Sequence, residues 1–112
     1  MLEDAIDIAV QHKNTMTAAE KVTAEVQAEI DRAVRKFPTW PTDPLHALAV
    51  LGEEYGELNK AVLQLTYEPH KAGSSLQEVR KEAIQTAAMA LRFVMSLDKY
   101  RYGGCEQHHQ GA

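Results

Sequence analysis

Glu53, Glu54 and Glu57 crowd into one short stretch, and Glu82 and Gln85 answer them from a second one. Between the two lies a polar segment, residues 68–75, suited to reversing the chain. If the flanking stretches are helices running antiparallel around it, Glu54 stands level with Gln85 and Glu57 with Glu82. Three carboxylates and one amide would then share a single rung. Such a set repels itself unless a cation occupies it, and hard oxygen donors select Mg²⁺ or Mn²⁺. At about 100° per residue, Glu54 lies nearest the apolar side of its helix, Glu57 next and Glu53 farthest toward solvent. Glu54 and Glu57 are therefore the better direct ligands, with Glu53 left to act from behind them or to position a water. A glutamate-rich helix face is ordinarily a solvated surface; the level match across the hairpin and the scarcity of basic neighbours argue for more. Gly52 and Gly56 each cost about 1 kcal/mol in a helix interior, which calls for a packing or access reason.

The elements that must hold this rung are helical, and no stretch reads as a strand. Residues 2–12 carry Leu2, Ile6 and Val10 with Ala5 and Ala9 between them, the pattern of a short helix or an N-terminal extension over residues 1–15, and Met16 offers a second start. The domain proper is expected over residues 16–101. A capping box at Thr17 and Glu20 opens a helix with Val22, Val26, Ile30, Ala33 and Phe37 at helical spacing, and Pro38 and Pro41 end it. Asp43 followed by Pro44 starts the next helix, whose seam runs Leu48, Leu51, Tyr55, Leu58, Val62, Leu65. Ser75 and Glu78 form another capping box ahead of a seam of Leu76, Val79, Ala83, Ala87, Ala90/Leu91 and Val94. Opposite that seam lies a stripe of Glu78, Glu82, Gln85, Met89 and Arg92. Gly103-Gly104 should stop this helix, leaving residues 102–112 as a flexible tail.

The expected fold is thus all-α, an antiparallel helical bundle. With only 112 residues the helices leave long seams partly covered, so completion by pairing of chains, a homodimer or a dimer of dimers, is expected. A formal net charge of −4 speaks against a nucleic-acid or membrane-surface partner. No apolar run reaches the length of a membrane span, and the single Cys105 makes a reducing, cytoplasmic setting the default.

The segment Glu53-Glu54-Tyr55-Gly56-Glu57, followed by Glu82-Ala83-Ile84-Gln85, resembles the signature of the MazG-like all-α nucleotide pyrophosphohydrolases, a Glu-Glu-x-x-Glu group and a later Glu-x-x-Asp. The likeness runs from about Val22 to Lys99 and includes Phe37-Pro38-Thr39-Trp40; small phage and bacterial members are similar over residues 46–54 and 82–93. It implies Mg²⁺-dependent cleavage of a nucleoside triphosphate between the α and β phosphates, giving a monophosphate and pyrophosphate. Carried over by motif position, Glu54, Glu57 and Glu82 would be metal ligands, with Glu53 assisting. Gln85 departs from the pattern, standing where the family has an aspartate. Its amide oxygen can coordinate Mg²⁺ but brings no charge and cannot serve as a base.

In such a mechanism Glu53 is the candidate acceptor of the attacking water's proton. Arg92, Lys81, Lys60 and Lys99 are candidates to steady the phosphates, Arg92 foremost because it shares the acidic stripe. Trp40, the sole tryptophan, is a candidate platform for a base or, equally, a plug over the end of the bundle. Met89 reads as core and His46 as a capping or packing residue, while Cys105, His108 and His109 lack a full ligand set. A different class of function, a non-catalytic helical dimer that binds metal or nucleotide as a sensor or assembly module, is suggested by Gln85. A di-iron carboxylate bundle is disfavoured because neither acidic stretch contains Glu-x-x-His.

Overall fold

The computed structural model describes residues 15–103. Three helices, α1 (Ala18–Lys36), α2 (Pro44–Tyr67) and α3 (Leu76–Met95), are followed by a 3₁₀ turn at Leu97–Lys99, and no strand occurs among the described residues. The fold is all-α. The readings made for residues 1–14 and 104–112, the short first helix and the tail, lie outside the described residues.

Each helix starts where its cap places it. The Thr17 hydroxyl accepts from the Glu20 amide at 3.1 Å, and the Glu20 carboxylate accepts from the Thr17 amide at 3.1 Å, a complete capping box. Asp43 accepts from the Leu45 amide at 2.9 Å ahead of Pro44. Only half of the box expected at Ser75 forms. Its hydroxyl accepts from the Glu78 amide at 3.0 Å, while the Glu78 carboxylate turns to Lys81 at 3.2 Å. Between α2 and α3 the Ser74 hydroxyl donates to the Glu68 carbonyl at 2.8 Å, and Gly73 takes a left-handed backbone, φ +93°, that other residues rarely adopt.

α3 is the central element and packs on both α1 and α2. The core between them is thin. Val26, Ile30 and Ala33 of α1 meet Ala88 and Met89 of α3, with Trp40, Val50, Leu51, Ile84 and Ala87 packed around them. Met89 is thus a core residue. Two sequence expectations need correction here. The α2 seam splits: Leu51, Leu58 and Leu65 are half-buried, whereas Leu48, Tyr55 and Val62 are exposed. On α3 the expected sorting fails at the larger residues, because Glu82, Met89 and Arg92 of the polar stripe are buried and Leu76, Leu91 and Val94 of the seam are exposed, while Ala83, Ala87 and Ala90 stay half-buried. A helix flanked on two sides must turn its middle stripe inward, whatever that stripe contains.

α3 also ends earlier than Gly103. The Ser96 amide donates to the Phe93 and Val94 carbonyls, and the chain turns so that Tyr100 packs on Phe93 at 5.0 Å between ring centroids. Tertiary packing of that tyrosine ends the helix before the glycines can. The Arg101 amide donates to the Thr42 carbonyl at 2.9 Å, tying the end of the chain's helical part to the entry of α2. No helix among the described residues is long and apolar enough to cross a membrane.

Candidate metal and phosphate site

The antiparallel hairpin of α2 and α3 brings the acidic residues to the same level. Thr86 Oγ1 lies 2.7 Å from the Glu82 carbonyl oxygen, one turn back on its own helix, and 3.1 Å from the Glu54 carbonyl oxygen across the interface. Thr86 follows Gln85 directly, so the contact falls within one residue of the expected pairing. Glu82 is buried at 8% exposure and Glu54 and Gln85 are half-buried, while Glu53 and Glu57 stand exposed at the edge.

The Glu54 and Glu82 carboxyls are both raised above the ordinary glutamate value. Burial first, then Glu57, Glu53 and Glu29, raises the Glu54 carboxyl above the ordinary glutamate range, with Arg32 opposing. Burial also raises the Glu82 carboxyl; Lys81 pulls against it, and Glu78, Glu54 and Glu57 add to the rise. Burial is the larger cause in both cases, and the neighbouring carboxylates add to it. The donors are carboxylate and amide oxygens, with no thiol or imidazole in the set, and that chemistry fits a hard divalent cation. Among the described residues, no three such side chains are drawn closely enough together to hold an ion as they stand. The exposed Glu53 and Glu57 side chains would have to turn inward to close the set around one.

The basic candidates separate. Lys81 is at the site, its ammonium 3.2 Å from Glu78 and 3.8 Å from Glu82, and the glutamates raise its pKa, Glu78 foremost. Lys60 and Lys99 are exposed on α2 and the 3₁₀ turn. Arg92 is buried at 6% exposure and committed elsewhere. Its Nη2 donates to the Phe37 carbonyl at 2.5 Å and more weakly to the Thr39 carbonyl at 3.3 Å, and its guanidinium lies 4.9 Å from the Trp40 ring centroid. Burial lowers its pKa from the ordinary arginine value. The guanidinium that the sequence offers to phosphate instead clamps the loop ahead of α2. Trp40, half-buried, donates from Nε1 to the Tyr100 hydroxyl at 2.8 Å, and that hydroxyl donates to the Phe93 carbonyl at 3.0 Å. Trp40 thus packs on the core and on Arg92, with part of its surface left open.

Two residues of the site were not singled out from the sequence. Glu29 and Arg32 of α1 form a forked pair, Nε to Oε1 at 3.0 Å and Nη2 to Oε2 at 2.5 Å, and both act electrostatically on Glu54. A signal was present: Glu29 falls between Val26 and Ile30 on the buried side of α1, and Arg32 precedes Ala33. Glu29 also lines a cleft of about 250 Å³ between α1 and α3, together with Glu25, Gln77, Arg80, Lys81 and Ile84. Gly52 and Gly56 have nothing from the chain within reach of an added Cβ, so no contact inside this fold requires them. Compared with protein-family models, curated proteins and solved structures, the chain matches none.

Proposed function

We propose that the chain is a Mg²⁺-dependent nucleoside triphosphate pyrophosphohydrolase of the MazG-like kind, releasing a monophosphate and pyrophosphate. The observation that carries this reading is that buried Glu82 and half-buried Glu54 stand at one level of an antiparallel hairpin, joined through Thr86, with both carboxyls raised above the ordinary glutamate value. A stable fold gains little from holding two partly desolvated carboxylates at one level, so the arrangement is best understood through a ligand that neutralises them. Glu54, Glu57 and Glu82 would hold the cation, Mn²⁺ being an alternative to Mg²⁺, and Gln85 would offer a neutral amide oxygen. The bound cation supplies charge neutralisation for the triphosphate and Lewis-acid activation of the attacking water. Glu53, exposed beside the rung, would accept that water's proton. Lys81 would meet phosphate oxygens at the α3 side.

Leu45, Leu48, Tyr55, Val62 and Leu63 of α2, and Leu76, Leu91, Val94 and Met95 of α3, are exposed apolar residues that pairing of chains could cover. A homodimer, or a dimer of dimers, would cover them, with Gly52 and Gly56 allowing close approach. Such a protein suits the reducing cytoplasm expected from its lone cysteine. A second reading, binding of metal or nucleotide without turnover, is favoured by Gln85, which removes a charge from the rung. One assay separates the two: pyrophosphate release from a panel of triphosphates with Mg²⁺. Glu54→Gln should abolish release while circular dichroism shows an intact helical fold. Unchanged turnover in that folded variant overturns the assignment, and metal binding without release in the wild type selects the second reading.

A further inference from the structure

We infer that Arg32 is the cation that receives the substrate's phosphates at the α1 side of the site, with Glu29 as the partner that holds its fork in place until they arrive. This rests on the function proposed above and names residues for that same site. A triphosphate approaching Glu53, Glu54, Glu57 and Glu82 meets negative charge that one divalent ion does not offset, so further cations must line its path. Arg92 is buried and bound to backbone carbonyls, Arg80 is paired with Glu25, and neither Lys60 nor Lys99 acts on Glu54 or Glu82. Arg32 and Lys81 remain as the cations that act on Glu54 and Glu82.

The geometry suits exchange. Arg32 already presents Nε and Nη2 side by side to two oxygens of one carboxylate, the arrangement in which a guanidinium grips two oxygens of a phosphate. Its side chain is 49% exposed, so a ligand can reach it. The pair joins neighbouring turns of one helix, and its arginine end stays in water where a ligand can compete for the fork. A multiply charged phosphate chain competes for the fork with greater charge than Glu29 can offer. Arg32's partner Glu29 lines the α1–α3 cleft, whose other wall carries Lys81 and an Arg80 already paired with Glu25, so a phosphate chain that draws Arg32 from Glu29 would meet Lys81 across that cleft.

Calorimetric titration with Mn²⁺ alone, and with inorganic tripolyphosphate in the presence of Mn²⁺, tests this without reference to any base. Arg32→Gln should weaken tripolyphosphate binding about tenfold, the value of a charge-assisted fork discounted for its exposure. Mn²⁺ binding alone should be unchanged or tighter, because a positive charge near Glu54 has gone. Arg32→Lys should recover part of the loss, and Glu29→Gln, which frees the fork, should tighten tripolyphosphate binding. Tripolyphosphate bound equally well by wild type and Arg32→Gln overturns the inference and leaves the proposed function standing. A wild type that takes up neither Mn²⁺ nor tripolyphosphate overturns both.

Discussion

Replacing Glu82 by glutamine isolates the electrostatic cost of the acidic rung. Glu82 is 8% exposed, and its ion-pair partner Lys81 stands 3.8 Å away with a side chain 55% exposed. An ion pair so hydrated returns at most about 1 kcal/mol. Against it stand the burial of the charge and repulsion from Glu78, Glu54 and Glu57. Glutamine keeps the shape and removes the charge, so Glu82→Gln should stabilise the metal-free chain by about 1 kcal/mol. For a domain of this size that is roughly 5 °C in Tm. Added Mg²⁺ should reverse the order, since binding stabilises by RT ln(1 + [Mg²⁺]/Kd), about 1.4 kcal/mol at ten times Kd. The variant, lacking one carboxylate, gains less. Scanning calorimetry in EDTA and then in rising Mg²⁺ should give melting curves for the two proteins that cross at or below about ten times the wild-type Kd. A variant that melts below wild type in EDTA would refute the reasoning, because Glu82 would then be a net stabilising member of the fold.

Further outcomes follow from the same contacts. Glu54 and Glu82 both have carboxyls raised by burial, so their stabilising contribution is full below the ordinary glutamate value and is lost as pH rises through the folded-state value. Lowering the pH from neutrality into that window in EDTA should raise the Tm of wild type relative to the Glu54→Gln/Glu82→Gln double variant, measured in paired melts. Arg92→Ala should cost about 3 kcal/mol in urea denaturation, for it empties a buried position and strands the Phe37 and Thr39 carbonyls. Arg92→Lys, without a planar group to lie on Trp40, should lose roughly half as much. Gln85→Asp should tighten Mg²⁺ binding and Gln85→Leu weaken it; coincident titrations of all three proteins would remove Gln85 from the coordination set. Sedimentation velocity at micromolar concentration should show at least a dimer, and a folded monomer throughout would count against pairing.

The helix starts were legible because capping is local: Thr17, Asp43 and Ser75 need only the next few residues to act. The pairing of the acidic stretches was legible because a short loop leaves a hairpin little choice of register. What could not be read was which stripe of α3 faces inward. Periodicity sorts apolar from polar, and it chose Leu76, Leu91 and Val94; packing against two helices instead turned in Glu82, Met89 and Arg92. Arg92 shows the limit most clearly. From the sequence it shares a stripe with Glu82, but its side chain reaches the Phe37 carbonyl, a partner that only the folded loop supplies. Glu29 and Arg32 were not legible for a related reason, since α1 joins the acidic site only through its docking on α3.

That docking has a consequence for the order in which the molecule comes apart. α2 and α3 are neighbours in the chain and make the more extensive contact, whereas α1 holds to α3 through the small cluster of Val26, Ile30 and Ala33. A hairpin with local contacts forms early and opens last, while a helix anchored by a few side chains can lift away on its own. Amides of α1 should therefore exchange with deuterium through a partial opening that leaves those of α3 protected. In that opened form Glu54, Glu57 and Glu82 remain together on the hairpin while Arg32 departs with its helix. The acidic half of the proposed site and its α1 half would thus be separable units of stability, and undocking α1 would carry Arg32 away without dismantling the carboxylates.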